Sequence, residues 1–355
     1  MRPETPISSV TVSAYRVPTD APEADGTFEW DSTTMVVAEV AAGDCTGLGY
    51  TYSAAATAAL IEELLAPVLR GEDAFATEGL WQAMVGKVRN VGLGGIAATA
   101  ISALDVALWD LKARLLGVSL AQLMGAARTA VPIYGSGGFT TYTEARLRDQ
   151  LGGWVHEDGC RFVKMKIGAR PEQDVARMRA AKDAIGDAAL MIDANGAFAP
   201  KPALLMAEQA AAFGVIWFEE PVSSDDLEGL RLLRQRGPAG MEIAAGEYGY
   251  EPFYFKRMID AGAVDAVQAD ATRCCGYTGF LRAAALADAA ELPLSAHTAP
   301  ALHLPVCCAA PRLAHLEWFH DHVRIEQMLF EGAPVADQGV LRPDLSRPGH
   351  GLTLK

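Results

Sequence analysis

Hydrophobic spacing divides the chain into three textures. Short alternating runs at residues 10–15, 34–41 and 47–51 read as antiparallel strands joined by turns, with a polar loop at 18–31 between the first two. From 54 to 116 the period lengthens. Ile101, Leu104, Leu108, Leu111 and Leu115 recur at three- and four-residue steps, which predicts helix, and Gly117 follows as its C-cap. Gly92, Gly94 and Gly95 have no strand before them and no Lys-Ser/Thr after them, so they read as a turn into that helix rather than a phosphate loop. Beyond about Val131, short apolar runs alternate with amphipathic helical stretches such as 172–185, 203–212 and 278–289. The runs lie at 131–135, 162–168, 189–196, 215–221, 241–247, 264–270, 292–297 and 313–319, and eight parallel strands of this kind suggest a closed α/β barrel. The segment after about Val323 carries no further strand–helix unit and reads as a tail that packs back on a neighbouring domain.

Composition narrows the class. The 355 residues are 50% hydrophobic and 21% charged, the balance of a globular protein with a large core and room for a second, smaller domain. A net charge of -14, with no Lys/Arg cluster, argues against nucleic acid or an anionic membrane as partner. The longest uncharged run, 292–311, contains four prolines and two histidines and cannot form a membrane helix. The N-terminus lacks an apolar signal region, and the six cysteines are sparse and outside CxxC spacing. Reduced thiols in a cytoplasmic protein are expected.

Candidate chemistry begins at Lys164-Met165-Lys166. Alternate residues of a strand share a face, so the two ammonium groups stand side by side and should depress each other's pKa, giving a usable amine base. The plainer alternative is an edge strand displaying lysines to solvent. Ionisable residues then recur at strand ends: Asp193, Glu219, Glu247, Asp270, His297 and Glu317. In a barrel these positions converge on one face. Asp193, Glu219 and Glu247 come from consecutive strands, and an all-oxygen donor set of that kind suits Mg²⁺, although each carboxylate taken singly could instead cap the following helix. Asp270 beside His297 would fix the imidazole tautomer and raise its pKa, forming an acid/base pair, whereas His303 and His315 read as core residues. Phe28 and Trp30, in the polar loop, read as local anchors or ligand contacts.

Taken in order, Lys164-Met165-Lys166, Asp193-Ala194-Asn195-Gly196, Glu219-Glu220-Pro221, Gly246-Glu247, Asp270, His297 and Glu317, with the helix 100–112, resemble the motif set of the enolase superfamily, mandelate racemase subgroup. The resemblance implies a modified TIM barrel, (β/α)7β, at 129–322, under an α+β capping domain built from 1–128 and the tail at 323–355. It implies one Mg²⁺ on Asp193, Glu219 and Glu247, with Lys166 and His297 (paired with Asp270) as bases for the two faces of the substrate. Lys164 would contact the substrate carboxylate and tune Lys166, while a protonated Glu317 would donate to the other carboxylate oxygen. Asn195, Phe28, Trp30 and Tyr52 would complete the substrate contacts. The expected partner is a small carboxylate, in a homo-oligomer of even number (dimer, tetramer or octamer). The expected first step removes the proton alpha to the carboxylate and leaves a metal-stabilised enediolate. Dehydration of an acid sugar to a 2-keto-3-deoxy acid is favoured. Racemisation or epimerisation of a 2-hydroxy acid, lactone or anhydro-sugar cycloisomerisation, and a non-catalytic metal- and acid-binding protein are the alternatives. Tyr50 and Tyr52 join Phe28 and Trp30 in cap segments that hold no Arg or Lys between Arg16 and Arg70, which suits a single carboxylate with an apolar or ring-like distal end better than a long diacid.

Overall fold

A computed structural model describes residues 5–355. Three antiparallel strands, β1 (Ile7–Ala24), β2 (Glu29–Ala42) and β3 (Cys45–Tyr52), open the chain in the order β1-β2-β3. The stretch expected as a polar loop is mostly hairpin arm. Strand β1 runs on through Pro18 with a register shift before Glu23, and the turn itself occupies only the residues between Ala24 and Glu29. The alternation of apolar and polar residues that marks a strand is lost there because the inward positions of this arm are Thr19, Ala21 and Glu23 rather than large apolar residues.

Helical chain follows: α1 (Ala56–Leu60), a π turn (Ile61–Leu65), α2 (Ala66–Leu69), α3 (Thr77–Lys87), α4 (Ile96–Leu115) and α5 (Leu120–Leu123). Helix α4 is apolar on nearly every side because it is enclosed by the β2–β3 sheet and by the barrel. Gly47 and Gly49 permit that approach: a Cβ at Gly49 would stand 2.1 Å from the carbonyl oxygen of Ala103. Gly117, at φ 67, terminates α4 as expected.

The barrel then alternates strand and helix: β4 (Val131–Gly137), α6 (Glu144–His156), β5 (Phe162–Lys166), α7 (Pro171–Ile185), β6 (Ala189–Asp193), α8 (Pro200–Ala211), β7 (Val215–Glu219), α9 (Leu227–Arg236), β8 (Glu242–Ala245), α10 (Pro252–Asp260), β9 (Ala266–Ala269), α11 (Gly276–Ala289), β10 (Leu294–Ala296), α12 (Pro300–Ala309) and β11 (Leu313–Phe319). These eight strands are parallel, and pairing of β11 with β4 closes the ring. Helix α13 (His320–Leu329) and three two-residue strands, β12 (Phe330–Glu331), β13 (Val340–Leu341) and β14 (Thr353–Leu354), complete the chain.

The runs read as continuously apolar because both faces are buried. Val163 and Met165 of β5 pack outward under the helices, while Lys164 and Lys166 face the lumen. Below them Tyr134, Met191, Trp217, Ala244 and Ala266 fill the barrel floor. His315 sits among these rings, 4.7 Å from Tyr134 and 5.3 Å from Trp217, and burial pushes its pKa down to about 4. His303 is fully enclosed, so both histidines are core residues as expected. Strand β5 is not an edge, since β4 and β6 flank it.

Two contacts seat the cap. Asp105 of α4 accepts from the Thr278 backbone N–H (2.9 Å) and hydroxyl (2.7 Å) on α11. In the tail, His350 Nε2 donates to the Leu48 carbonyl (2.7 Å), and Leu352 O accepts from Arg114 Nη2 (2.7 Å). Among the described residues no helix is long and apolar enough to cross a membrane, and all six cysteines are free.

The close approach of β3 to α4 gives a direct test. Gly49→Ala should cost about 1–3 kcal/mol, because the methyl group must displace backbone. Gly153→Ala, in α6 with no atom within 4 Å of the added Cβ, should instead stabilise by about 0.4–1 kcal/mol. Urea midpoints of the two variants check both signs.

Candidate active site

Every strand-end residue singled out in the sequence meets at the barrel mouth. Asp193, Glu219 and Glu247 place carboxylate oxygens within 4.8 Å of one another, all three side chains buried. Lys164 Nζ lies 2.7 Å from Glu219 Oε1, 2.9 Å from Glu317 Oε1 and 3.6 Å from Asp193 Oδ2. Lys166 Nζ lies 2.5 Å from Asp193 Oδ2. Trp217 Nε1 donates to Glu219 Oε2 (3.0 Å), and Ser136 Oγ donates to Glu317 Oε1 (2.6 Å). His297 Nδ1 lies 2.8 Å from Asp270 Oδ2, and its Nε2 turns toward Glu247.

The rim backbone is strained where these groups emerge. Asn195, Glu220, Cys275, Thr298 and Ala299 all have positive φ, between 38° and 65°, and lie just beyond Asp193, Glu219, Asp270 and His297. Non-glycine residues hold that conformation only when their surroundings enforce it. Here they do. Asp193 Oδ1 accepts from the Asn195 N–H (2.8 Å), the Ala244 carbonyl from the Glu220 N–H (2.9 Å), and Glu317 Oε2 from the Thr298 N–H (3.0 Å).

Charge is out of balance at the mouth. Six buried acids (Asp193, Glu219, Glu220, Glu247, Asp270 and Glu317) face three permanent cations, Lys164, Lys166 and Arg273, and a fourth when His297 is charged. The shortage shows in the pKa values. Burial, reinforced by Asp193 and Glu317, pushes Glu219 up to about 8 against the pull of Lys164, and burial and Glu247 raise Glu220 further. Burial lowers Lys164 and Lys166, but the carboxylates outweigh it: Glu219 and Glu317 hold the Lys164 ammonium, and Asp193 holds that of Lys166, well above the ordinary lysine range. The expectation of two mutually depressed lysines is therefore corrected, since each has a nearer carboxylate than its twin. Glu317 is corrected too. Burial raises it, yet Lys164 and then His297 bring it down to about 2, so it is ionised rather than protonated. Burial works against the His297 cation, but Glu247, Glu317 and Asp270 raise its pKa to about 9.

These residues fit a divalent cation. The trio offers only oxygen, the surrounding charge is negative in excess, and the buried Glu247 Oε2 accepts no hydrogen bond, its nearest cationic neighbour being His297 Nε2 at 3.1 Å. A second acidic group, Asp20, Glu23 and His320, differs: Asp20 is already paired with Arg146 (3.1 Å) and His320 (3.2 Å), so it latches the hairpin to the barrel.

A cavity of about 350 Å³ opens above Lys166, Glu247, Arg273 and His297. Its roof is the β1–β2 hairpin, whose Gly26 touches down so closely that a Cβ would stand 2.3 Å from the Ala194 carbonyl. Phe28, Trp30, Tyr52 and Asn195, expected as substrate contacts, line the cavity, whereas Tyr50 is fully buried, donates to Glu326 (2.6 Å) and does not reach it. Phe28 stacks on Trp30 (6.2 Å), and Trp30 Nε1 donates to the buried Glu23 (2.8 Å), so these aromatics are anchors and lining at once. Arg273, Thr298 and His322 also line it and were missed. Arg273, three residues beyond Asp270 in the same turn, could have been found by spacing. His322, on α13, carried no such signal.

Residues 9–125 match the family described as Mandelate racemase / muconate lactonizing enzyme, N-terminal domain, and residues 146–355 match Enolase C-terminal domain-like. The chain belongs to the mandelate racemase/muconate lactonizing enzyme family. A family member from Rubrobacter xylanophilus, described as mandelate racemase/muconate lactonizing enzyme-like, superposes with a TM-score of 0.97 at 50% identity, over 99% of this chain and 97% of that one. The 3,6-anhydro-alpha-L-galactonate cycloisomerase of Streptomyces coelicolor is 34% identical over 98% of this chain and 97% of its own. The L-talarate/galactarate dehydratase of Salmonella typhimurium is 34% identical over 81% of this chain and 74% of its own. Its structure with Mg and L-lyxarohydroxamate superposes with a TM-score of 0.91 at 29% identity, over 99% of this chain and 92% of that one.

If the trio is the metal site of this family member, calorimetric titration with Mg²⁺ should show one site per chain. Asp193→Asn or Glu247→Gln should weaken it by at least about 10–100-fold, whereas Asp20→Asn should leave it unchanged. Equal loss in all three variants would reject the assignment.

Proposed function

We propose that this enzyme removes the proton alpha to the carboxylate of a single-headed acid sugar and expels the oxygen on the beta carbon, dehydrating an aldonate to a 2-keto-3-deoxy acid. The observation that carries this reading is the placement of Lys166 and His297 on β5 and just past β10. These strands are separated by β4 and β11 on one side of the ring and by β6, β7, β8 and β9 on the other, so the two groups face a bound substrate from opposing walls.

Mg²⁺ on Asp193, Glu219 and Glu247 would supply the positive field that a developing enediolate requires and would draw the Asp193 charge away from Lys166, easing loss of the ammonium proton. The remaining steps belong to side chains. Lys166 Nζ takes the alpha proton. Lys164, held by Glu219 and Glu317, adds positive charge beside the carboxylate. His297, whose Nδ1 lies 2.8 Å from Asp270 Oδ2, acts in its imidazolium form as the acid. Its Nδ1–H is anchored on Asp270, so the proton available to the substrate is the one on Nε2. As the electron pair left on the alpha carbon forms the new double bond, the beta C–O bond breaks, and the departing oxygen takes that proton and leaves as water. The enol then tautomerises to the 2-keto acid.

Support for a single carboxylate comes from the lining. Its cations, Lys166, Arg273 and the charged form of His297, all sit beside the carboxylate cluster, and the cap contributes Thr27, Ser32, Thr33, Thr34 and Ser53 with aromatic rings but no Lys or Arg. A second reading, opening of an anhydro ring, uses the same bonds, with the leaving oxygen remaining tethered to the chain. The near full-length similarity to the Streptomyces coelicolor cycloisomerase favours it.

Incubation of the Mg²⁺-loaded protein with aldonates, hexarates and 3,6-anhydrogalactonate, followed by NMR in D₂O, separates these outcomes. The proposal expects a 2-keto-3-deoxy acid lighter by one water from an aldonate, with kcat/KM for the aldonate at least about tenfold above that for the matching hexarate, the factor that one unmet charge imposes. Ring opening without loss of mass selects the second reading. Inverted configuration with no C–O cleavage would overturn both.

A further inference from the structure

His322 plays no part in the chemistry above, yet it is held more tightly than a lining residue needs to be. It lies on α13, and its ring stacks on Tyr52 of the cap at 3.4 Å between centroids and 13° between planes. The edge of Phe319 covers it at 5.0 Å. Its Nδ1 accepts the backbone N–H of Ala299 (3.2 Å), the second of the two strained residues that follow His297. A backbone N–H is always the donor, so Nδ1 carries no proton and the neutral ring must carry its proton on Nε2. Burial, and then the charge of His297, hold the imidazole pKa well below its usual value, so the ring stays neutral. Among the described residues Nε2 has no hydrogen-bond partner, and His322 lines the cavity beside His297 and Thr298. An uncharged N–H of this kind suits an alcohol or ether oxygen, whereas a carboxylate would call for a cation.

We infer that His322 is a specificity-determining residue, its Nε2–H donating to a hydroxyl or ring-ether oxygen at the distal end of the substrate while Nδ1 braces the turn behind His297. The inference rests on the acid-sugar reading above. It deepens that reading by naming the group that selects an uncharged distal end, and it ties the cap, through Tyr52, to the aim of the catalytic histidine.

Two substitutions separate the two nitrogens. In His322→Asn the side-chain oxygen can stand in for Nδ1 and keep the Ala299 contact, but nothing reaches the cavity. In His322→Gln the amide nitrogen can stand in for Nε2, but the brace is lost. With the aldonate that the protein turns over, H322N should raise KM about tenfold, the effect of one lost buried hydrogen bond, with kcat little changed. H322Q should restore most of the KM and lower kcat instead. With D-glycerate, which has no distal oxygen, H322N should leave the KM for alpha-hydrogen exchange in D₂O unaltered. Unchanged KM for the aldonate in H322N, or an equal rise for glycerate, overturns the inference while the acid-sugar reading stands. If no acid in the panel exchanges or reacts, the acid-sugar reading fails and takes this inference with it. Nitrogen-15 NMR of the imidazoles in the Mg²⁺-loaded protein tests the geometry without turnover: a pyrrole-type Nε2 for His322 is expected, and a protonated Nδ1 overturns the inference whatever the panel shows.

Discussion

The structure depends on an excess of buried negative charge at the mouth of the barrel. Burying an ionised carboxylate without compensation is costly, and here six acids converge on three permanent cations. The protein meets this by letting each lysine serve carboxylates from other strands, so that β5, β6, β7 and β11 are tied together through Lys164 and Lys166. What remains unbalanced appears in Glu219 and Glu220, whose carboxyl pKa values burial pushes up, to about 8 in Glu219 and well above the usual range in Glu220. A divalent cation on the trio relieves that imbalance, and the same charge would stabilise a carboxylate that is gaining a second negative charge. Affinity for the ion and the proposed alpha-proton chemistry would therefore follow from one electrostatic arrangement.

The cap depends on the same rim. Gly26 allows the hairpin to touch the carbonyl that follows Asp193, and Tyr52 lies flat on His322. His322 and Glu317 in turn fix the consecutive strained residues Thr298 and Ala299, which aim His297. Roof, brace and His297 form a continuous chain of contacts. A substrate that alters the seating of the roof would act on the position of His297 by the same route, and recognition of the distal end would thereby be joined to catalysis at the other.

Much of this was legible in the sequence, for identifiable reasons. Parallel strands buried on both faces leave short apolar runs, and an ionisable residue at the end of every one after the first has no solubility rationale, so the barrel, the trio and the Lys/His placement could be read directly. The hairpin arm at 18–24 could not, because its inward positions carry Thr19, Ala21 and Glu23 in place of the large apolar residues that mark a strand. Protonation states were misjudged because they depend on partners brought in from distant strands: the ionisation of Glu317 is set by Lys164 and that of Lys166 by Asp193. His322 escaped notice since its importance lies in a backbone N–H across the rim, which no spacing encodes.

The account stands on Lys166 as the base that takes the alpha proton and on His297 as the acid that protonates the leaving oxygen from the opposite wall. The most direct test follows alpha-hydrogen exchange in D₂O and loss of water in parallel, with the Mg²⁺-loaded variants Lys166→Ala and His297→Asn supplied with the acid that the protein dehydrates. Lys166→Ala is predicted to lose both, and His297→Asn to keep exchange while losing dehydration. Dehydration by either variant at a rate near that of the unaltered protein would contradict the account.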